Sequence, residues 1–479
     1  MTPPAIEPER IDDCLTIRDG HVFVEGCDAV EIARTFGTPV HVVSEDQLRR
    51  NARRFRAAFG SRWHEGAVDV LPSIKANLSL ALRAILTQEG MGCDTFGPGE
   101  LEAALRSGVD PSLISVNGTA KDEALLERAL SVGTRVTLDS AREIALVRDV
   151  ARRLGVRATV RFRLRPEYEE LVQPSEFVEE DVPIREFART YKPGIPTEDL
   201  LELGPAALAA EELDVAGVMA HLGRHHHAAD VWRGMVRGFV GTLSELSAAW
   251  GGWVPRQIDL GGGFASPRDP TGRALHRGAD RPALGPTVED YAEALTTTLR
   301  EELAAHGIPA DGIALEVEPG RAMYADAGIH LSTVRNVKRE SGRRPPRWIE
   351  LDTTEMFLPD LLIEHDRFVT LVANKASSPR AEPVDVAGIS CGFDVLGSSV
   401  ALPDVEPGDV IAFLDTGAYQ DAASSNFNAL PRPATVLVCE DTAELVKRAE
   451  TIDDVFARDL IPERLRGPMQ PSRSGGPAG

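Results

Sequence analysis

The feature that most constrains the fold is a regular alternation of short β-branched runs and longer helical stretches between about residues 36 and 320. The runs with strand character are, in chain order, VHVVS, VDVLPSIKA, LISVNG, RVTLD, ATVRFRLR, VAGVMAHLG, QIDLGGG and IALEVEP. Strand–helix units at this spacing predict parallel strands with helical crossovers, and about eight units suit a TIM-like (β/α)8 barrel. An open, doubly wound sheet is the alternative, but no GxGxxG turn follows the first strand to favour it.

A second domain follows the barrel, because after about residue 325 the strands are separated by Pro and Gly turns with little helix between them. This pattern of strands and turns predicts a mostly β domain, and we expect the hairpin-like residues 13–26 to pack with it. The acidic segment 166–190 interrupts the alternation of strands and helices, and we expect it to be a surface loop or a lid. The predicted segments are N-terminal strands (1–35), the barrel (36–320), the C-terminal β domain (321–465) and a disordered tail (466–479).

Charge and cysteine content limit the classes of partner. The chain has 52 basic and 74 acidic side chains and a net charge of −22, which disfavours nucleic acid or an anionic membrane as a partner. The sequence shows no apolar signal-peptide core and no run long enough to span a membrane. Five scattered cysteines without a CxxC motif favour free thiols in the cytoplasm over disulfides or zinc. We therefore expect a cytoplasmic protein that acts on a small molecule.

Three predicted strand ends carry groups that suit one cofactor. Lys75, in SIKAN, follows an early strand, where loss of water lowers the pKa of an amine and lets it attack an aldehyde. The run Gly261–Gly263 exposes consecutive N–H groups that can bind a phosphate. Glu318 and Arg321, in EVEPGRAM, supply a carboxylate for a ring nitrogen and a guanidinium for phosphate. Each motif alone also fits a solvated lysine, a tight turn or a salt bridge, but together they suit pyridoxal phosphate.

These motifs resemble those of the group IV decarboxylases of the alanine-racemase fold, which include the diaminopimelate, ornithine and arginine decarboxylases. The resemblance covers nearly the whole chain. The segments that carry it include SIKAN, GCDTFGPGEL, VNGTAK, VTLDSAREI, HLG, IDLGGGF, EPGRAMYADAG, TGAYQDAASSNFN and PRPATVLV. It implies a barrel followed by a β domain, pyridoxal phosphate as the cofactor, and a homodimer with shared active sites that binds an amino-acid substrate.

The resemblance also implies roles for individual residues. Lys75 resembles the lysine that binds the aldehyde of the cofactor, and Asp94 resembles the acidic residue beside it. His221 is similar to the histidine that stacks on the pyridine ring, although a packed barrel histidine is the alternative. Glu318 resembles the partner of the pyridine nitrogen. The residues that resemble the phosphate-binding set are Gly261, Gly262, Gly263, Arg321 and Tyr419.

Cys391, in the segment GISCGFD, resembles the cysteine that the second subunit contributes to the active site of these decarboxylases. That cysteine returns a proton to the substrate carbon after CO2 has left, so that the product is the amine. A thiol that is only a small apolar group in the core is the alternative. The matching loop favours the catalytic role.

The chain departs from the family at the positions that recognise the distal end of the substrate. Gly392 follows the cysteine where the family usually has an acidic residue, and Asp394 resembles a later aspartate of that loop. Leu358 stands where diaminopimelate decarboxylases carry the arginine for the distal carboxylate. Because an unpaired buried charge is costly, neither diaminopimelate nor the common diamino acids are the expected substrates.

Three further features bear on the substrate or on metal binding. Arg224 replaces the serine that is typical after HLG, and it is a candidate ligand for phosphate or a substrate carboxylate. Glu355 is a candidate contact for a substrate amine. The run His225–His227 cannot direct all three rings at one ion from a regular strand or helix, so we expect no metal site.

The sequence therefore predicts a carboxy-lyase that uses pyridoxal phosphate to remove the α-carboxylate of an amino acid or a conjugate, in specialised-metabolite biosynthesis. One alternative is a diaminopimelate or basic amino-acid decarboxylase with an altered pocket. Others are a racemase or aldolase on the same barrel, and a non-catalytic regulatory homologue. The cysteine loop and the GAY…FN segment favour a decarboxylase over a racemase, and the retained lysine, cysteine and phosphate-binding residues argue against a non-catalytic homologue.

Overall fold

The structure is a computed structural model, and part of the chain lies outside the residues that it describes. The described residues are 9–166, 168, 172–174, 181–183, 192–221, 229–266, 286–339, 341, 347–363, 368–381 and 383–466. The predicted features that lie outside them are most of the acidic segment 166–190, Arg224, the run His225–His227 and the tail after residue 466.

The regular elements alternate first and then become mostly strands. The strands are β1 (Glu9–Arg10), β2 (Leu15–Arg18), β3 (His21–Val24), β4 (Cys27–Asp28), β5 (Val40–Ser44), β6 (Val68–Val70), β7 (Cys93–Thr95), β8 (Ile114–Val116), β9 (Arg135–Leu138), β10 (Ala158–Arg163), β11 (Val172–Pro174), β12 (Asp181–Pro183), β13 (Leu213–Met219), β14 (Gln257–Asp259), β15 (Ala314–Val317), β16 (Gly328–Arg339), β17 (Arg347–Leu351), β18 (Thr370–Val372), β19 (Val384–Ala387), β20 (Val395–Val400), β21 (Val410–Leu414), β22 (Ala434–Cys439) and β23 (Thr442–Lys447). The longer helices are α1 (Ala29–Phe36), α2 (Glu45–Gly60), α3 (Leu80–Gln88), α4 (Pro98–Arg106), α5 (Glu123–Val132), α6 (Ala141–Leu154), α7 (Thr197–Leu208), α8 (Ala229–Ala249) and α9 (Val288–Ala305). Short helices span Arg321–Tyr324, Asp360–Ile363, Gln420–Ala423 and Ile452–Val455.

The ends of several barrel helices follow from local sequence. Ser44, Asp122 and Ser140 each precede a helix, and each side chain accepts a hydrogen bond from the backbone N–H of the residue three positions later. Gly133 and Gly155 end α5 and α6 in the left-handed conformation that glycine adopts without a steric penalty. These caps fix where each helix begins or ends relative to the strand beside it.

Within the described residues, eight parallel strands form one sheet in the order β6–β15–β14–β13–β10–β9–β8–β7. A bridge between Ser73 and Asp94 connects the two ends of this sheet, so the barrel is nearly closed. The predicted barrel followed by a mostly β domain is confirmed. Because the strands are parallel, all their carboxyl ends lie at one end of the barrel, where the loops can build a site.

One predicted barrel strand belongs elsewhere. The run VHVVS forms β5, which pairs with β16 and β22 of the C-terminal sheet, so the prediction of β5 as a barrel strand is wrong. Among the described residues, the barrel strand that was not predicted is β7, which has three residues and pairs with β8. Both strands are buried along their whole length, a pattern that does not distinguish a barrel strand from a central strand of another sheet.

The C-terminal strands form a second sheet in the order β20–β19–β17–β16–β5–β22–β23, and β21 pairs with β16 and β18. The hairpin of β2 and β3 packs on this sheet, and Val22 N–H donates to the Ala373 carbonyl at 2.8 Å. The segment boundaries at residues 35, 320 and 465 remain predictions. In the part of the chain that the structure describes, no helix is both long and apolar enough to cross a membrane.

Two helical glycines give a matched test of barrel packing. A Cβ on Gly204 would lie 2.2 Å from the indole ring of Trp250, whereas no described atom would lie within 4 Å of a Cβ on Gly241. We expect Gly204→Ala to lower the free energy of unfolding by about 1–3 kcal/mol, because the helix α7 must move away from the ring. Gly241→Ala should raise it by about 0.5–1 kcal/mol through helix propensity. Urea unfolding followed by circular dichroism measures both, and equal effects would contradict the packing argument.

Candidate active site

Polar residues from several strands meet at the carboxyl end of the barrel. Lys75 lies on the 3-10 turn Ile74–Ala76 after β6, and its Nζ lies 3.0 Å from Oδ2 of Asp94 on β7. The Lys75 side chain keeps 43% of its surface accessible, so a ligand can reach part of this side chain. Desolvation alone would lower the pKa of Lys75, but Asp94 and other nearby acidic groups raise it above its ordinary value. The sequence-based expectation of a lowered pKa is therefore wrong, because it took no account of Asp94.

Asp94 is buried and accepts hydrogen bonds on both carboxylate oxygens. Its Oδ2 accepts from Ser73 Oγ at 2.7 Å as well as from Lys75, and its Oδ1 accepts from Asn117 Nδ2 at 2.8 Å. Burial raises the pKa of Asp94, but the Lys75 charge and these three donors together hold it below its ordinary value. Asp94 is thus an anion that fixes the lysine in place.

Asn117 links the lysine side of the site to the predicted ring-binding carboxylate. Its Nδ2 donates to Asp94 and also to Oε1 of Glu318, which follows β15. Burial and the neighbouring carboxylates of Asp259 and Asp94 raise the pKa of Glu318 well above its ordinary value. The sequence prediction missed Asn117. The one feature that could have pointed to it is its position directly after β8, in the segment VNGTAK.

A buried ion-pair network lies inside the barrel next to Glu318. Nη1 of Arg161, on β10, lies 2.9 Å from Oδ2 of Asp259 and also contacts Glu316. Arg135, on β9, contacts the other carboxylate oxygen of Glu316. The side chains of Arg161, Asp259 and Glu316 have no accessible surface. The sequence prediction missed this network too, because the arginines in ATVRFRLR look the same whether they face solvent or the barrel interior.

The glycine turn after β14 approaches two of the predicted site residues closely. Gly261 has a φ of +67°, and its N–H donates to Oδ1 of Asp259 at 2.8 Å. A Cβ on Gly262 would lie 2.3 Å from the carbonyl oxygen of Glu318 and 3.6 Å from Nε2 of His221. Only glycine fits there, so the structure brings this turn, His221 and Glu318 together as the sequence prediction requires.

Tyr419 brings the β domain to the barrel mouth. Its N–H donates to the Ala76 carbonyl at 2.7 Å, and its hydroxyl would lie 2.6 Å from a Cβ on Gly320. The guanidinium carbon of Arg321 lies 5.0 Å from the centre of the Tyr419 ring, while its Nη1 lies 2.8 Å from Oδ2 of Asp360. The contacts of Arg321, Tyr419 and the glycine turn with a phosphate stay predictions.

These residues fit a pyridoxal phosphate. The site provides a lysine with a partly accessible side chain, a buried carboxylate in Glu318, and a glycine turn in which a side chain at Gly262 would collide with the Glu318 carbonyl. Such a turn lets backbone N–H groups approach an anion closely. A metal is not needed for this chemistry, and no cluster of three or more metal-ligating side chains occurs among the residues that the structure describes.

The cysteine loop lies in the β domain between β19 and β20. Cys391 is exposed, and its N–H donates to Oδ1 of Asn428 at 2.9 Å. Asp394 is buried and accepts from Thr354 Oγ1 at 3.0 Å, from Glu355 N–H at 2.7 Å and from Ser390 N–H at 2.6 Å. We infer that Asp394 shapes the loop; its predicted contact with substrate stays a prediction.

Glu355 lies beside the glycine that follows the cysteine. Its Oε1 would lie 3.5 Å from a Cβ on Gly392, and burial together with the charge of Asp394 raises the pKa of Glu355. Leu358, three residues further on, is completely buried in a hydrophobic cluster with strands of the C-terminal sheet. The segment 355–358 therefore places the Glu355 carboxylate beside the cysteine loop and the Leu358 side chain in the core.

Residues 45–325, more than half of the 479-residue chain, match the family described as "Pyridoxal-dependent decarboxylase, pyridoxal binding domain". The diaminopimelate decarboxylase of Methanocaldococcus jannaschii is 30% identical over 461 residues, covering 95% of this chain and 98% of that protein. The diaminopimelate decarboxylase of Bacillus subtilis is 28% identical over 450 residues, covering 92% of this chain and 95% of that protein.

Solved structures agree with this relationship. The crystal structure of the M. jannaschii diaminopimelate decarboxylase in complex with L-lysine has a TM-score of 0.84 and 29% identity, covering 95% of this chain and 99% of that chain. The lysine/ornithine decarboxylase from Vibrio vulnificus shares the fold, with a TM-score of 0.67 at 18% identity, covering 85% of this chain and 98% of that chain. The protein therefore belongs to the pyridoxal-dependent decarboxylases, and it is a carboxy-lyase that uses pyridoxal phosphate as its cofactor.

Proposed function

We propose that this decarboxylase removes the α-carboxylate of an amino acid or amino-acid conjugate other than meso-diaminopimelate, outside central lysine biosynthesis. The observation that carries the proposal is the position of Glu355 and Leu358. Glu355 places a carboxylate beside Gly392, and Leu358 is buried in the core where it cannot contact a ligand.

The charge of this segment disfavours a substrate with a distal carboxylate. Such a carboxylate needs a cation or several hydrogen-bond donors once it leaves water. Burying a neutral polar group without a hydrogen bond already costs roughly 2–7 kcal/mol, and burying an unpaired charge costs more. Glu355 is itself acidic, so it would repel a second carboxylate in its ionised form. A substrate whose distal end is neutral or carries an amine avoids that cost.

The residues at the barrel mouth hold the cofactor and the reacting atoms. Bound pyridoxal phosphate supplies an aldehyde for the amino group and an electron-accepting ring that takes up the electron pair released with CO2. Lys75 provides the amine that holds the cofactor between turnovers, and Asp94 keeps that amine in place. Glu318 would hold the ring nitrogen, His221 would stack on the ring, and the turn Gly261–Gly263 would hold the phosphate.

Cys391 returns the proton that completes the reaction. Once the bond to the carboxylate has broken and CO2 has left, Cys391 would donate its thiol proton to the former α-carbon, and the electron pair of the broken bond would end in the new C–H bond. The thiolate that remains is protonated again by water. We propose that Cys391 acts in the site of a second subunit, which is supported by the exposure of its loop: Phe393 is 97% exposed and Ile389 is 46% exposed.

A substrate panel tests the proposal. Purified holoenzyme is incubated with both enantiomers of lysine, ornithine and arginine, and with meso-diaminopimelate, glutamate, aromatic amino acids and carboxylated conjugates. CO2 and amine are then measured by mass spectrometry. We expect turnover of a substrate with a neutral or amine-bearing distal end. Turnover of meso-diaminopimelate with the highest kcat/KM of the panel would overturn the proposal.

We also propose a cytoplasmic location, which the free state of all five cysteines, each a described residue, supports.

A second candidate is a diaminopimelate or basic amino-acid decarboxylase with an altered pocket. It is supported by the relatives at 28–30% identity, which are diaminopimelate decarboxylases. In that case the distal carboxylate would be bound by a residue other than Leu358, and Arg224 is the candidate. The same panel separates a diaminopimelate decarboxylase from the proposed function, because only the former predicts efficient turnover of meso-diaminopimelate. A basic amino-acid decarboxylase falls within the proposed function, because its substrate carries a distal amine.

Glu355→Gln tests the contact with a substrate amine. On the best amine-bearing substrate of the panel, we expect KM to rise about tenfold or more, because a hydrogen bond to a charged group is lost. Glu350→Gln is the control, since Glu350 pairs with Lys338 on a partly exposed strand where an ion pair contributes little. An unchanged KM in Glu355→Gln would contradict the contact.

A further inference from the structure

The side chain of Asn428 contacts Cys391 at two points, although the two residues are 37 positions apart. Its Oδ1 accepts from the Cys391 N–H at 2.9 Å, and its Nδ2 donates to the Cys391 sulfur at 3.4 Å. A backbone N–H can only donate, so the amide oxygen must face it and the amide NH2 must face the sulfur. The orientation of the amide is therefore fixed by Cys391 itself.

The backbone on both sides of this contact is also fixed. Asn428 has a φ of +57° and a ψ of +21°, a left-handed conformation that asparagine tolerates better than most residues. On the other side, Ser390 N–H donates to the buried Asp394, so the residue before the cysteine cannot move freely. Ser425 N–H donates to the Met356 carbonyl at 3.2 Å and ties the Asn428 segment to the Glu355 segment. The amide and the thiol thus meet on two anchored loops.

We propose that Asn428 is a positioning residue for Cys391: by donating to the sulfur, its amide directs the thiol hydrogen toward the reacting carbon. Because the sulfur accepts in this contact, its own hydrogen is left for another acceptor. In the proton return described above, that acceptor is the carbon that has lost CO2, and the S–H electron pair stays on sulfur until water protonates it again. The inference rests on the proposed role of Cys391 and adds the group that orients it.

Two variants remove the contact while keeping the left-handed backbone. Asn428→Asp keeps an acceptor for the Cys391 N–H but turns a carboxylate oxygen toward the sulfur, so the thiol would donate its hydrogen there. Asn428→Gly removes the whole side chain at a conformation that glycine adopts freely. In both variants of the holoenzyme we expect kcat to fall about tenfold or more while KM stays within about twofold, because orientation of the proton donor is lost.

The product distribution provides a readout that a merely structural role would not change. If Cys391 did not deliver its proton to the former α-carbon, bound pyridoxal phosphate would keep the amino group of the substrate, and the released product would be an aldehyde instead of the amine. We expect the ratio of aldehyde to amine to rise about tenfold or more in Asn428→Asp and in Cys391→Ala. In the Cys391→Ala background, Asn428→Asp should add no further change, because both residues act on one step.

Alkylation of Cys391 by iodoacetamide, followed by peptide mass spectrometry, tests the contact independently of turnover. We expect Asn428→Asp to slow alkylation of Cys391 about tenfold or more, because the reacting thiolate loses its N–H donor and gains a negative neighbour. Rates at the partly exposed Cys27 and Cys439 serve as internal controls.

The outcomes separate this inference from the proposed function. A raised aldehyde ratio in Cys391→Ala with an unchanged ratio in Asn428→Asp would overturn the role of Asn428 alone. An unchanged ratio in Cys391→Ala would overturn proton return by Cys391 and the positioning role with it. Slower alkylation with additive effects on kcat in the double variant would also overturn the inference, because Asn428 would then act through another group.

Discussion

Replacing Lys75 with alanine is expected to lower kcat by about 10³-fold or more, because the amine that holds the cofactor is lost. Lys75 is an accessible lysine whose Nζ lies 3.0 Å from Asp94, at the end of the barrel where Asn117 and Glu318 also meet. Borohydride reduction of the holoenzyme, followed by peptide mass spectrometry, should place the reduced cofactor on the peptide that contains Lys75. The variant should carry no such modification.

Lys75→Arg is the control that separates nucleophilic chemistry from charge pairing. Arginine keeps a cation beside Asp94 but cannot condense with an aldehyde at neutral pH. We expect the same loss of kcat as in Lys75→Ala, with a melting temperature nearer that of the parent protein. Retention of more than a few per cent of activity, or reduced cofactor found on the buried Lys121, would assign the role to another lysine; Lys121 itself is paired with Glu143.

Replacing Arg161 with methionine is expected to lower the free energy of unfolding by about 3–5 kcal/mol, because it leaves the buried Asp259 without its cation and Glu316 with Arg135 alone. Arg161 lies 2.9 Å from Asp259 and also contacts Glu316, and none of the three side chains is accessible to solvent. Urea unfolding of the holoenzyme measures the change. Methionine is of similar length and apolar, so the effect reports the lost charge more than a cavity.

The matched control is Arg152→Met. Arg152 also pairs with two acidic residues, Asp149 and Glu212, but its side chain is 57% exposed, so water replaces the lost contacts and stability should change little. Adding Glu316→Gln to Arg161→Met should recover part of the loss by restoring the charge balance. An Arg161→Met variant as stable as Arg152→Met would show that the buried network contributes nothing to folding.

The fold could be predicted from local sequence, and so could the end of the barrel at which the candidate site residues lie. The strand–helix period indicated the barrel, and Lys75, Asp94, Glu318 and the run Gly261–Gly263 all lie in barrel strands or within five residues of their carboxyl ends. Such patterns are readable because side-chain direction and turn geometry depend on neighbours in the chain. The placement of β5 in the barrel was wrong, since its buried pattern is typical of either sheet.

The amino-acid sequence by itself determined the kind of architecture and which strand ends carry an amine, a carboxylate and a glycine turn. Only the tertiary structure decided how those groups act on one another: that Asp94 raises the pKa of Lys75, that Asn117 joins Asp94 to Glu318, and that Asn428 contacts Cys391. The physical reason is range. Helix and strand periods are set by residues a few positions apart, whereas hydrogen bonds and ion pairs require atoms about 3 Å apart, which residues distant in the chain reach only when the barrel and the β domain have formed.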